Sequence, residues 1–317
     1  MSILDDVREG CRAAAEEASH VRIRRERLAE YAAALPEERL RPALDREHHF
    51  IGTPPETVAY FLTLDAINFG SGYFPFLRKL PGHSGYFTIA TALKQRFEAR
   101  GPFTASELAS IQPDDCADTF HQALDGPIAE LMALFADALN ELGGHLLDRY
   151  RGQPTGLVEA ASGSAERLVG LLSELSFFRD VQAYRGRSAP LYKRAQLAAA
   201  DLSLALNGQG LGAFHDLDRL TIFADNLVPH VLRWDGLLEY GPDLAKRIDQ
   251  ENLIAAGSEE EIEIRACAVH TAELLVDHLN ALGRPTTAMQ LDYLLWNRGQ
   301  RPEYKAHPRH RARSIFY

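Results

Sequence analysis

Apolar residues recur at three- and four-residue spacing through most of this chain, while the alternating stretches that could form strands are short. A polypeptide patterned in this way buries one face of each helix against its neighbours, so the fold class is mainly α. With 46% of 317 residues apolar there is material for a substantial core. No uncharged apolar run approaches the roughly 20 residues that span a bilayer, so no membrane partner is expected. The opening Met-Ser-Ile-Leu-Asp-Asp is acidic and reads as the start of a first helix rather than a signal peptide. Cys11, Cys116 and Cys267 are too few and too scattered for a disulfide framework or a zinc site, and a reducing, cytoplasmic compartment fits them.

Punctuation along the chain marks individual helices. Thr53 as a cap and Pro55 in the first turn predict a helix leading into Val58. The segment Pro127 to Tyr150 carries an apolar stripe through Ile128, Leu131, Leu134, Phe135, Ala138 and Leu142, and its helix is expected to stop at Gly143, Gly144 or shortly after. A third helix is predicted from about Leu191 to Leu206. It ends at Asn-Gly-Gln-Gly-Leu-Gly, whose glycines imply a hairpin between helices. Two more are expected, one after Ser258, which with Glu261 has capping-box spacing, and one from Pro285 to Trp296. No repeat or long linker is visible, so residues 1–317 are taken as a single domain with an N-terminal half to about residue 150 and a C-terminal half over 151–317.

The 44 acidic and 34 basic side chains give a formal charge of −10, which opposes a stable nucleic-acid partner. Five of the cations are lysines, among them Lys193. His48 and His49 are adjacent and diverge, and His270 and His278 are two turns apart, so neither pair has metal-ligand spacing. The glycines at 208–212 lack the preceding strand of a dinucleotide fingerprint and are a turn first. Asp225 stands where an apolar stretch meets a new helix, and can be a plain N-cap or a carboxylate facing a pocket. Asp292 and Trp296 are four residues apart on one helix, either a surface acid beside a core ring or a carboxylate beside a binding surface. Lys193 and Arg194 fall in a first helical turn, where cations oppose the dipole unless an anion compensates them.

Several segments together resemble the queuosine salvage proteins, the queuosine 5′-phosphate N-glycosylase/hydrolases. They are Phe-Arg-Asp (178–180), Tyr-Lys-Arg-Ala-Gln (192–196), Thr-Ile-Phe-Ala-Asp (221–225), Glu-Ile-Arg-Ala-Cys (263–267), Leu-Asp-Tyr-Leu-Leu-Trp (291–296) and the tail His-Arg-Ala-Arg-Ser-Ile-Phe-Tyr (310–317). The N-terminal half adds Leu-Asp-Ala-Ile-Asn-Phe (64–69) and Ser-Gly-Tyr-Phe (84–87). The resemblance implies a single helical domain akin to the helix-hairpin-helix DNA glycosylases. It also implies hydrolysis of queuosine 5′-phosphate, a small-molecule nucleotide, to queuine and ribose 5-phosphate. A monomer is expected.

A 7-deazapurine has no N7 to protonate, so such an enzyme must stabilise an oxocarbenium-like sugar, and Asp225 is the candidate carboxylate. Lys193 is the second candidate catalytic residue, as a phosphate ligand or in the chemical step. Arg194 would join it on the phosphate. Asp292, His49, Asp65 and Asn68 are candidate polar contacts to the base, and Phe69, Tyr86, Phe223 and Trp296 candidate ring contacts. No metal or organic cofactor is required. Two rivals are a DNA glycosylase, favoured by the basic stretch from Arg301 to Arg313, and a non-catalytic helical interaction protein in which Asp225 only caps. The apolar Ile315, Phe316 and Tyr317 are expected to pack back onto the protein.

Overall fold

The computed structural model describes residues 2–36 and 42–317. It is mainly α, 59% helical and 5% strand, as the periodicity requires. In chain order the first elements are α1 (Ile3–Glu16), β1 (Val21–Ile23), α2 (Leu28–Ala34), α3 (Pro54–Ala66), α4 (Gly85–Arg100), α5 (Ala105–Ser110), α6 (Pro113–Phe120) and α7 (Gly126–Tyr150). Next come α8 (Pro154–Ala160), α9 (Ala165–Leu172), β2 (Val181–Tyr184), β3 (Arg187–Pro190) and α10 (Lys193–Ala205). The last are α11 (Val228–Trp234), β4 (Leu238–Tyr240), α12 (Pro242–Asp249), α13 (Glu259–Ala281), α14 (Ala288–Gly299) and α15 (Pro302–Lys305). Among the described residues, no helix is long and apolar enough to cross a membrane.

The chain forms two compact units that interleave along the sequence. One comprises Met1–Pro42, Asp180–Gln196 and Asp216–Arg313; the other comprises Ala43–Arg179, Leu197–His215 and Ser314–Tyr317. The boundaries therefore fall at several points, set by packing, and not at one point near residue 150.

In the first unit α13 is the core helix. Ile262, Ile264, Ala266, Ala268, Val269 and Ala272 are all buried, and α1 lies along it with Val7, Cys11 and Ala14. Ser258 caps α13 by accepting from the Glu261 amide, but Glu261 turns its own carboxylate to Gly257 N and Arg265, so the capping box is half formed. Strands β1 and β4 pair antiparallel, Val21 with Tyr240. Strands β2 and β3 form a hairpin whose two turn residues, Arg185 and Gly186, have φ of 47° and 80°, the backbone a two-residue turn demands. The predicted helix from Pro285 instead starts at Ala288, because Thr287 and Gln290 form a complete capping box there.

In the second unit α3 and α7 hold the core, with Tyr60, Phe61, Phe97, Phe120 and Phe135 buried between them and α4 to α6. Thr53 and Glu56 box the start of α3, as their spacing predicts. The expected stop at Gly143 or Gly144 does not occur, since α7 runs through to Tyr150. A Cβ on Gly143 would stand 2.3 Å from the backbone nitrogen of Ala109, so this glycine admits α5 rather than ending α7. The glycines after α10 do turn the chain, Gly208 and Gly210 at φ of 66° and 55°. The next α-helix begins only at Val228, however, so no tight helical hairpin forms there. The tail docks as expected: Arg311 O accepts from Ile254 N at 2.9 Å in the first unit. In the second, Tyr317 is buried and its carbonyl accepts from Gly70 N at 3.1 Å.

Candidate active site

In the first unit, the segment Thr221 to Asp225 is held almost residue by residue. Thr221 N donates to Gln196 Oε1 at 2.8 Å, and Gln196 Nε2 donates to Thr221 Oγ1 and to Leu191 O, each at 2.9 Å. Phe223 N donates to Asp292 Oδ1 at 2.8 Å. The Ala224 carbonyl accepts from Arg265 Nε at 2.8 Å, and the same guanidinium grips Asp180 through two nitrogens at 2.5 and 3.1 Å. Arg265 and Asp180 are both buried, a bidentate pair of the geometry that lets two charges coexist away from water. Four separate segments, each holding a motif quoted above, thus meet on one strap, which is itself the fifth. Its terminus is Asp225.

Asp225 Oδ1 accepts from Leu227 N at 2.6 Å and Val228 N at 3.1 Å, so one carboxylate oxygen caps the turn that opens α11. Asn226 Nδ2 donates to His310 O at 3.4 Å, bringing the tail alongside. Asp292 is buried, not a surface acid, while Trp296 is half-buried against the unit's core. Phe223 is buried and meets Tyr293 edge-on at 6.3 Å. Lys193 and Arg194 open α10 and are 5% and 1% exposed, two cations buried in a first helical turn. Just ahead of them Tyr192 takes φ of +46°, a left-handed conformation that a non-glycine residue adopts at some cost. Gln196, one turn on, ties this helix start to the strap.

The second unit assembles the other candidates. His49 Nδ1 donates to Asp45 O at 2.7 Å, and His49 Nε2 lies 2.7 Å from Tyr86 Oη. Tyr86 follows Gly85 at the start of α4, where the Phe74 ring leaves no room for a side chain: a Cβ on Gly85 would stand 2.4 Å from it. Asp65, near the end of α3, is fully buried, and Asn68 is half-buried. Phe69 is buried between Phe135, edge-on at 5.2 Å, and Phe177, stacked at 6.0 Å, so its faces are occupied largely by its own unit. Burial first, then the negative charges of Asp201 and Asp65, raise the Tyr86 phenol well above its ordinary value.

Asp201 was absent from the sequence candidates. It is a buried carboxylate on α10, and its signal was a lone acid inside the apolar run Leu197 to Leu204. Gln196, Asp180 and Arg265 were quoted within motifs without roles, and the structure makes them supports of the strap. Among the described residues, one group has metal-like spacing: His20, Glu259 and Glu263, whose ligand atoms lie within 4.8 Å of one another. Glu263 already accepts from the amides of Ser19, His20 and Val21 and from Tyr184 Oη, which is a structural role.

Comparison with known proteins agrees with the motif pattern. The family model described as queuosine salvage protein matches residues 48–317. A queuosine 5′-phosphate N-glycosylase/hydrolase of Sphaerobacter thermophilus is 40% identical over 95% of this chain and 94% of its own length. Proteins of the same name from Dictyostelium discoideum and Bos taurus are 34% and 33% identical, over 82% and 74% of this chain and 78% and 72% of theirs. A fit of this extent, falling on the residues that build the strap, places the chain in the queuosine salvage protein family.

Proposed function

We propose that this protein hydrolyses the N-glycosidic bond of queuosine 5′-phosphate, releasing queuine and ribose 5-phosphate. The observation that carries this is the 40% identity, over nearly the whole length of both chains, to a relative named for that activity. The first unit supplies the chemistry in outline. As the bond breaks, positive charge develops on the ribose, and a carboxylate fixed beside C1′ stabilises it and orients water. Asp225 fits this role because its cap bonds and the anchored strap hold it in place, with one carboxylate oxygen engaged by backbone amides. Lys193 and Arg194 supply the counter-charge for the 5′-phosphate at a helix start, and Asp292, Phe223 and Trp296 lie on the same unit to receive the base.

A second assignment of the carboxylate is favoured by one observation: Asp201 and Asp65 are both buried near Tyr86, where two acids held from water are poised for charge stabilisation. Loss of turnover in Asp201→Asn with Asp225→Asn active would select it. His49, Asp65, Asn68, Phe69 and Tyr86 remain candidate contacts to substrate. The −10 charge supports a free nucleotide over nucleic acid as substrate, and a cytoplasmic monomer without cofactor is the simplest form of the enzyme. The test is incubation of the purified protein with queuosine 5′-phosphate, bare queuosine and duplex DNA, with chromatographic detection of free base. Release of queuine from the phosphate is expected. Release from DNA alone would overturn the proposal in favour of a DNA glycosylase.

A further inference from the structure

The docked tail brings a guanidinium to Asp225 within the first unit. Three backbone carbonyls pin the segment that carries it. Tyr304 O accepts from His230 Nε2 at 2.9 Å, His310 O from Asn226 Nδ2 at 3.4 Å and Arg311 O from Ile254 N at 2.9 Å. Arg309 is thereby held beside the end of the strap. It is half-buried, and among the described residues it makes no hydrogen bond and no ion pair. Burial disfavours its charge most, the Asp225 carboxylate favours it, and the like charge of Arg311 opposes it. The rest of this corner is basic: Lys305 feels the Arg309 charge, and Arg311 is already engaged by Glu251 Oε1 at 3.0 Å. A guanidinium does not give up its proton near neutral pH, so Arg309 is a standing cation in want of an acceptor. Asp225 is its counterpart. Its Oδ1 accepts from two amides, while its Oδ2 makes no hydrogen bond among the described residues. The two charges act on one another without meeting as an ion pair.

We infer that Arg309 is a specificity-determining residue: it binds the 5′-phosphate of the substrate, and that phosphate in turn releases Asp225 to act on the ribose. The identity of the anion as a nucleotide phosphate rests on the proposed function; the unmatched cation beside Asp225 does not. A bare guanidinium draws on the same carboxylate charge that must stabilise the sugar, and it repels the positive charge developing there. A phosphate dianion on Arg309 cancels both effects. It is therefore worth more in the transition state than in the bound substrate, and raises kcat as well as lowering KM. A nucleoside leaves the guanidinium bare and meets a carboxylate partly occupied by its neighbour. Lys193 and Arg194 remain the counter-charge at the helix start, and Arg309 adds a cation whose neutralisation Asp225 senses.

The test compares full-length wild type, Arg309→Gln and Arg309→Lys in two measurements. One is kcat and KM on queuosine 5′-phosphate and on bare queuosine; the other is calorimetric binding of ribose 5-phosphate and of ribose. In Arg309→Gln, kcat/KM for the nucleotide should fall about tenfold to a hundredfold, while kcat for the nucleoside rises about two- to tenfold as the bare cation is removed. Ribose 5-phosphate should bind about tenfold more weakly, with ribose unaffected. Arg309→Lys keeps the charge without the planar fork and should fall between wild type and the Gln variant in both measurements. Variants that melt like the wild type yet keep its nucleotide-to-nucleoside ratio, or that lose both substrates in equal proportion, would overturn the inference. A wild type that releases no queuine but binds ribose 5-phosphate through Arg309 would sink the proposed function and support the anion site. Queuine release with ribose 5-phosphate binding indifferent to the substitutions would do the reverse.

Discussion

Asp292 Oδ1 lies 2.8 Å from the Phe223 amide nitrogen and accepts its proton, so a carboxylate on α14 fixes the backbone two residues ahead of Asp225. Removing it in Asp292→Ala leaves a buried N–H unsatisfied and should cost about 1–3 kcal/mol in urea unfolding. Asp292→Asn keeps an acceptor and should retain most of that stability. If turnover falls further in Asp292→Asn than stability does, the second carboxylate oxygen belongs to substrate binding.

Asp225 separates its two roles by substitution. Asn preserves the oxygen that accepts from Leu227 and Val228, so Asp225→Asn should fold normally and lose roughly two to four orders of magnitude in kcat. Asp225→Ala loses the cap as well and should be less stable by about 0.5–2 kcal/mol. Near-native turnover in a well-folded Asn variant would make Asp225 a cap alone.

Breaking the Arg265–Asp180 pair from one side should be costly. Asp180→Ala removes the bidentate partner of a buried guanidinium and leaves it the longer Glu261 contact at 3.4 Å, with an expected loss of up to about 3–5 kcal/mol by denaturant titration. Arg265→Lys cannot reproduce the fork that spans Asp180 and the Ala224 carbonyl, so it should loosen the strap and lower kcat even where the protein still folds.

Stability should depend on His230. The ring is buried, Nε2 donates to Tyr304 O at 2.9 Å, and burial pushes its pKa down to about 4. Below the unfolded value near 6.5 the unfolded chain takes up a proton that the folded protein refuses, so unfolding becomes easier. Stability is complete above about pH 6.5, declines as pH falls toward 4, and loses on the order of 2–3 kcal/mol from this residue. His230→Gln keeps the donor and removes the titration, so its stability curve should be flatter in that window. His310, pushed down to about 3, contributes in the same direction and remains in the variant.

Gly143→Ala tests the reason for the glycine inside α7. Its new methyl group would stand 2.3 Å from Ala109 N, and α5 would have to retreat. A fall of about 1–3 kcal/mol in stability is expected. Gly144→Ala, which meets nothing within 4 Å, should be neutral or slightly stabilising.

Sequence carried the local decisions well. Thr53 and Ser258 are capping residues whatever their tertiary surroundings, and the glycines after α10 announce a turn by their own backbone freedom. Gly143 misled because the same residue type serves close helix packing, a relation to Ala109 that periodicity does not contain. Asp225 was visible at its helix start, but the strap behind it was not. Gln196, Arg265 and Asp180 come from segments far apart in the chain, and hydrogen bonds between distant segments leave no mark in local spacing. Asp201 was overlooked because a single acid on a helix normally faces water, and only burial shows that this one does not.

The packing of α1 on α13 sets the order of events during synthesis. Arg8 on α1 bonds Glu273 on α13 at 2.9 Å, across a separation of 265 residues. At translation rates of about 5–20 residues per second, the first helix leaves the ribosome roughly ten to fifty seconds before its partner exists. Val7, Cys11 and Ala14 wait through that interval with their apolar face uncovered, whereas α3 to α7 can find one another as they emerge. Most of the second unit, Ala43–Arg179 and Leu197–His215, can therefore pack while the nascent chain is still growing, and its Ser314–Tyr317 piece joins last. The unit holding the strap has to be completed after its last residues arrive.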